Sequence, residues 1–285
     1  MKKIISAIVA FLLVNISYAQ LNLPSASSDA TFKQQVGFAE VEIKYSRPSS
    51  RGRAIFGGLV PYGELWRTGA YDATTIHFSD SVKLNDNRIP AGNYSLFTIP
   101  GKNEWTIVIN KDSEMHGSSE YAQEQDLLRF VVKSEKSPRF YETFTIELND
   151  VTKDATSLFL LWENTQVKIA IQSYADERVM AEINDRINIK KEDRPSLFYQ
   201  SSLYYFNNNK DFKQAYAWIE IATSKSQDAG YFQLQSKIEA ALGNYPAALK
   251  SLKSSTELAK SKKLDQIVSA NEKLLEEWNK KTTNK

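Results

Sequence analysis

Four of the chain's ten arginines fall in one stretch, YSRPSSRGRAIFGGLVPYGELWRTGA, from Tyr45 to Ala70. Between Lys44 and Arg67 stand five basic side chains and one acid, Glu64, so positive potential concentrates here although the whole chain carries a formal charge of only +2. A guanidinium is a planar fork of donors that fits a carboxylate, sulfate or phosphate with two parallel bonds. Two readings are open. In one, Arg47, Glu64 and Arg67 form an internal salt-bridge network and Trp66 is core. In the other, Glu64 holds one arginine while Arg51, Arg53 or Arg67 stays free to grip an anion, with Trp66 or Tyr62 as a stacking wall. Gly52, Gly57, Gly58, Gly63 and Gly69 suit a sharply turned loop whose backbone amides could assist an anion, and they suit a purely structural loop equally well.

Other chemistries find less support. The chain has no cysteine, which excludes a thiol nucleophile and a thiolate metal site. His77 and His116 are far apart in sequence, with no His-Glu-x-x-His pair, no phosphate-cradling loop and no dinucleotide fingerprint. His77 falls on the face opposite Ile76 and Phe78 and joins the candidate ligand-binding set. HGSSE, His116 to Glu120, reads as an exposed turn. No catalytic residue is assigned, and no metal or cofactor is called for.

The elements that must position these residues come in two kinds. From about residue 32 to 172 the hydrophobic period is two: Val41, Ile43 and Tyr45 alternate with Glu42, Lys44 and Ser46, Phe144, Ile146 and Leu148 with Thr145, Glu147 and Asn149, and Val167, Ile169 and Ile171 with Lys168, Ala170 and Gln172. Arg47 continues the apolar face of its strand, and Pro48 ends the pairing. Further strands are expected over 74–79, 81–85, 94–99, 105–110, 128–133, 143–149, 157–162 and 166–172, with turns at Asn85-Asp86-Asn87 and Glu163-Asn164-Thr165. Glu114 to Glu124 reads as a polar loop or short helix. Short antiparallel strands at this spacing predict a β-sandwich or barrel-like domain.

After about residue 174 alanine, leucine and lysine recur at helical spacing, so the chain as a whole is α+β. Phe212, Ala215, Ile219 and Ala222 match Tyr245, Ala248, Leu252 and Ser255 at an offset of 33 residues. A period of this length with small residues at fixed places predicts tetratricopeptide-like helical hairpins. Leu264, Ile267, Val268, Leu274, Leu275 and Trp278 on one stripe predict a closing helix.

The first residues predict export. Lys2 and Lys3 precede an apolar run, Ile4 to Val14, too short to span a bilayer, and Ser17-Tyr18-Ala19 offers a cleavage site before Gln20. The expected organisation is a signal peptide over 1–19, a β-rich domain over 20–173 and a helical repeat-like domain over 174–285, exported to the periplasm or beyond. No transmembrane segment and no nucleic-acid partner are expected.

The arginine-rich stretch, followed by AGNYSLFTIP (Ala91 to Pro100) and EWTIVIN (Glu104 to Asn110), resembles the domain-of-unknown-function family numbered 2911, over roughly residues 20 to 172. That resemblance implies a β-rich secreted domain, common in exported proteins of the Bacteroidetes and sometimes followed by helical repeats. It implies no established activity, so no catalytic residue is carried over. Tyr71 departs from the family, which more often has a small polar residue there. The residues favour a binding module, with an anionic small molecule or glycan near the arginines and a protein partner on the helices. The alternative is a hydrolase or lyase acting on an anionic substrate, with Glu64 or His77 as acid–base. A third reading has the arginines only bracing the loop.

Overall fold

The computed structural model describes residues 23–283, so the expected export segment over 1–19 lies outside the described residues. Two compact units meet between Asp176 and Glu177. In the first, period-two alternation builds one open antiparallel sheet in the order β1-β2-β3-β6-β7-β8-β9-β4-β5. Its strands are β1 (Ser28–Val36), β2 (Ala39–Arg47), β3 (Thr74–Phe78), β4 (Val82–Leu84), β5 (Asn87–Ile89), β6 (Gly92–Pro100), β7 (Glu104–Asn110), β8 (Asp126–Asn149) and β9 (Ala155–Ser173). The β1–β2 hairpin turns on Gly37, which has φ 60° and whose missing Cβ would stand 2.1 Å from Ser173 Oγ.

Three expectations change here. The barrel-like alternative is corrected, because the sheet does not close. The separate strands expected over 128–133 and 143–149 are one strand, β8, and those over 157–162 and 166–172 are likewise one, β9. Glu163 does not turn the chain; it takes φ 48° beside the register shifts between Lys136, Tyr141 and Thr145, and the ladder bends there without breaking. This bend lets β8 pair with β7 over its first part and with β9 over the rest.

Both parts cover the same core. Val41, Ile43 and Tyr45 from β2 are buried in one cluster with Phe144, Ile146 and Leu148 from β8 and Val167, Ile169 and Ile171 from β9. The Tyr45 hydroxyl ties the two together, donating to Ile146 O at 3.2 Å and accepting from Ile146 N at 2.9 Å. The segment from Glu114 is a loop that carries two short 3₁₀ turns, Ser118–Glu120 and Gln123–Gln125.

The second unit is helical: α1 (Ala175–Ile183), which straddles the boundary and runs into a π-turn (Asn184–Ile189), then α2 (Pro195–Asn207), α3 (Phe212–Lys225), α4 (Ala229–Ala241), α5 (Tyr245–Ser261) and α6 (Asp265–Thr283). The residues matched at an offset of 33 share one environment: Ala215, Ile219 and Ala222 on α3 and Ala248, Leu252 and Ser255 on α5 are all buried. Their caps repeat as well. Asp211 accepts from Lys213 N and Gln214 N, and Asn244 accepts from Ala247 N. The apolar stripe is narrower than expected: on α6 Trp278 is buried against Ala248 and Leu252 but Leu275 is exposed, and Leu264, also exposed, precedes the helix. Among the described residues no helix is long and apolar enough to cross a membrane.

Candidate functional site

The arginine-rich segment is the connection from β2 to β3, and it is a pinned loop. Ser50 N donates to Glu142 O at 2.8 Å and Phe144 N to Pro48 O at 2.8 Å, which fixes its start to β8. Trp66 and Thr98 exchange both backbone bonds at 2.8 and 2.9 Å, which fixes its second half to β6. Between these anchors, Gly58 lies so close to Ala54 that a Cβ would stand 2.5 Å from its carbonyl oxygen. The amides of Gly57, Gly58 and Gly63 donate to Val60, Ile55 and Pro100 carbonyls, so these three are committed to the loop itself.

A cleft of about 560 Å³ opens on this loop. Arg51, Arg53, Glu64, Trp66 and Arg67 all line it, together with Tyr71, Ser118 and Trp162. Arg47 and His77 do not. Arg47 braces β2 to β8, donating to Phe144 O at 3.2 Å and Thr145 Oγ1 at 3.0 Å. His77 sits on β3 with Nδ1 2.7 Å from Asn93 Oδ1. Tyr62 lies over Gly57, outside the cleft lining, and Tyr71 takes the wall instead.

The expected salt-bridge network is not present among the described residues. Every guanidinium bond on this loop goes to a neutral oxygen: Arg51 to Ala26 O at 2.8 Å, Arg53 to Ser50 O at 3.0 Å and Ser49 O at 2.8 Å, Arg67 to Tyr71 O at 2.6 Å. A carbonyl satisfies a donor without cancelling its charge, and each fork keeps further N–H groups. Glu64 is exposed and bonded to none of them. Two acids from far along the chain, which the sequence reading missed, serve the loop instead: Glu163 on β9 accepts from Ile55 N at 3.4 Å, and Glu142 on β8 holds its start. The Glu142 carboxylate accepts from Ser50 Oγ and, at 2.7 Å, from Arg51 N. The Ser50 hydroxyl, then the Arg51 amide, then the charges of Arg51 and Arg53 hold it below its ordinary value.

Trp66 is core, as one reading had it. It donates through Nε1 to Gly69 O at 3.0 Å and stacks on Trp162 at 5.7 Å, with Phe144 at 5.0 Å edge-on. These rings make the cleft floor stiff. The backbone around it is strained: Arg51, Thr68 and Tyr71 hold φ of 50°, 56° and 58°, and Thr68 is β-branched and fully buried. A second cleft of about 590 Å³ contains His116, whose Nδ1 is 2.9 Å from Asp72 Oδ1. That bond raises the imidazole above its ordinary value, yet no hydrogen bond joins His116 to Ser118 or Ser119.

Fold and site together define an α+β chain: an open antiparallel sheet bearing a cationic, loop-built cleft, followed by helices. Residues 27–171 match the family described as "Protein of unknown function (DUF2911)", and the chain belongs to that family. No curated protein and no solved structure matches the chain.

Proposed function

We propose that the β-unit is an exported binding module whose cleft takes a carboxylate, sulfate or phosphate group of a small molecule or glycan between Arg51, Arg53 and Arg67. The observation that carries this reading is that all three guanidiniums line one cleft and bond only to neutral oxygens. An anion that displaces water from these forks gains charge-assisted bonds on a frame already held in place. The strained Thr68, kept left-handed by the folded surroundings, is what a pre-set site would retain. The helices, as tetratricopeptide-like hairpins, present a surface to a protein partner.

The hydrolase or lyase reading ranks second. Glu64 is the only carboxylate lining the cleft and no histidine lines it, so an acid–base pair lacks its second member among the described residues. The test is ligand-dependent melting with sulfate, phosphate, a dicarboxylate and a sulfated glycan. A ligand at a hundredfold its dissociation constant stabilises by about 2.7 kcal/mol. At least one should raise the melting temperature of the wild type, and the rise should vanish in the Arg53→Ala, Arg67→Ala double variant. No rise with any of the four, or an equal rise in the variant, overturns the reading.

A further inference from the structure

The helical unit has a cleft of the opposite character. It measures about 470 Å³ and lies between α3, α4 and α5, with Tyr216, Glu220, Phe232, Gln235, Glu239 and Lys250 among its lining. Gln235 and Glu239 are one turn apart on α4, so their side chains share a face. Glu239 is only 3% exposed. Its Oε1 accepts from Gln235 Nε2 at 3.1 Å, whereas its Oε2 is buried without a hydrogen-bond partner, and so is Gln235 Oε1. Two buried acceptors in one cleft without a donor are costly, and the carboxylate oxygen more so.

The surroundings leave both oxygens without a hydrogen bond. The amides of the helix interior are spent on the helix itself. The Ser251 hydroxyl faces the Glu239 carboxyl and offsets part of its burial, but it makes no hydrogen bond to Oε2. Lys250 is exposed and makes no ion pair among the described residues. Burial pushes the Tyr216 phenol up to about 12, with Glu220 adding to the effect, so its hydroxyl keeps its proton and faces Glu220 and the Gln235 amide, while Glu239 Oε2 and Gln235 Oε1 still have no hydrogen bond. No group of three or more histidines and acids that could hold a metal occurs among the described residues.

We infer that this cleft binds a primary ammonium group, with Glu239 Oε2, Gln235 Oε1 and the Glu220 carboxylate as acceptors and the Tyr216 and Phe232 rings beside its alkyl stem. An ammonium carries three donors and no acceptor, which matches a set of three acceptors. Aromatic rings suit both its charge and its methylene chain. Two acidic side chains against one lysine line the cleft, so acceptors outnumber cations there. This site is separate from the arginine cleft and gives a chemistry to a helical surface for which only a protein partner was named above.

The ammonium can come from a small amine or from a lysine side chain, and two probes separate the sources. Full-length protein is titrated with cadaverine and with a glycine-flanked lysine pentapeptide, each beside its N-acetylated neutral counterpart, and amide shifts are followed by NMR. Saturable shifts confined to α3, α4 and α5 with either charged probe, and none with its neutral form, are expected, and the probe that saturates lower names the source. Glu239→Gln should weaken binding about tenfold or more, the loss of one charged hydrogen bond. Glu220→Gln, at an exposed position that does not threaten folding, should weaken it several-fold. Arg67→Ala should leave the titration unchanged, so that failure here and failure of the anion site read separately. No saturable shift with either charged probe, an equal response to the neutral probes, or full binding by both glutamine variants overturns the inference.

Discussion

One cleft is lined by guanidiniums and the other by buried acceptor oxygens, and the backbone that holds each explains how it is satisfied. The β-unit cleft is built on a loop, where carbonyls are not claimed by a regular ladder, so Arg51, Arg53 and Arg67 all find neutral oxygens nearby. The helical cleft is built on α3, α4 and α5, whose amides are bonded along the helix axis, so a buried Glu239 finds no backbone donor. A cation can be housed by irregular backbone without a counter-charge. An anion buried on a helix flank cannot be, and needs a side chain or a ligand.

The substitution with the largest expected effect breaks the β side of this contrast. Trp66→Ala removes the ring that stacks on Trp162 and meets Phe56, Trp105 and Phe144, and should cost about 3–5 kcal/mol in denaturant unfolding. A loss under half of that would mean the cleft floor is softer than its packing implies. Next in size is Asn271→Ala on the helical side. Asn271 is buried, accepts from Gln233 Nε2 at 2.7 Å and donates to Ser255 Oγ at 2.9 Å, so it shows a helix flank with its polar groups fully served. Its loss should lower stability by about 1–3 kcal/mol.

The smallest effect sharpens the contrast through pH. Glu142, held low chiefly by Ser50 and with Arg51 and Arg53 as its charged neighbours, contributes stability above the ordinary carboxyl value of 4.5 and loses it as pH falls through its lower folded value. Glu239, raised by burial with Glu220 and Lys250 facing it, does the reverse: its contribution is full below 4.5 and is lost as pH rises through its raised folded value. Amide exchange followed from neutral pH downward should therefore loosen at Ser50 to Arg53 while α4 tightens. Glu239→Gln should abolish the second change and spare the first; parallel shifts in both units would contradict the assignment.

Where residues act through their immediate neighbours, the sequence was informative. Val41, Ile43 and Tyr45 showed their strand and its buried face, and Ala215 and Ala248 showed which faces of their helices are buried, because period and size are local properties. The gathering of Arg51, Arg53, Glu64, Trp66 and Arg67 on one loop was visible in the same way. Their partners were not. Glu142 reaches the loop only because β8 crosses beneath it, and the choice of carbonyls over Glu64 depends on where Ser49, Ala26 and Tyr71 come to lie. The turn expected at Glu163 failed for a related reason: residues with turn chemistry inside a long ladder can bulge, provided both flanks stay paired. Glu239 and Gln235 drew no notice, since a charged residue in a helical run ordinarily faces water.

The placement of β4 and β5 bears on the order in which the β-unit assembles. This hairpin is made early in the chain, yet Leu84 pairs with Ile171, at the far end of the last strand. Until that strand arrives, this short hairpin has a bare rim with hydrogen-bonding capacity to spare. Completion of the sheet should be the slow step in refolding, governed by a distant closure, and crowded refolding mixtures should aggregate through this rim first.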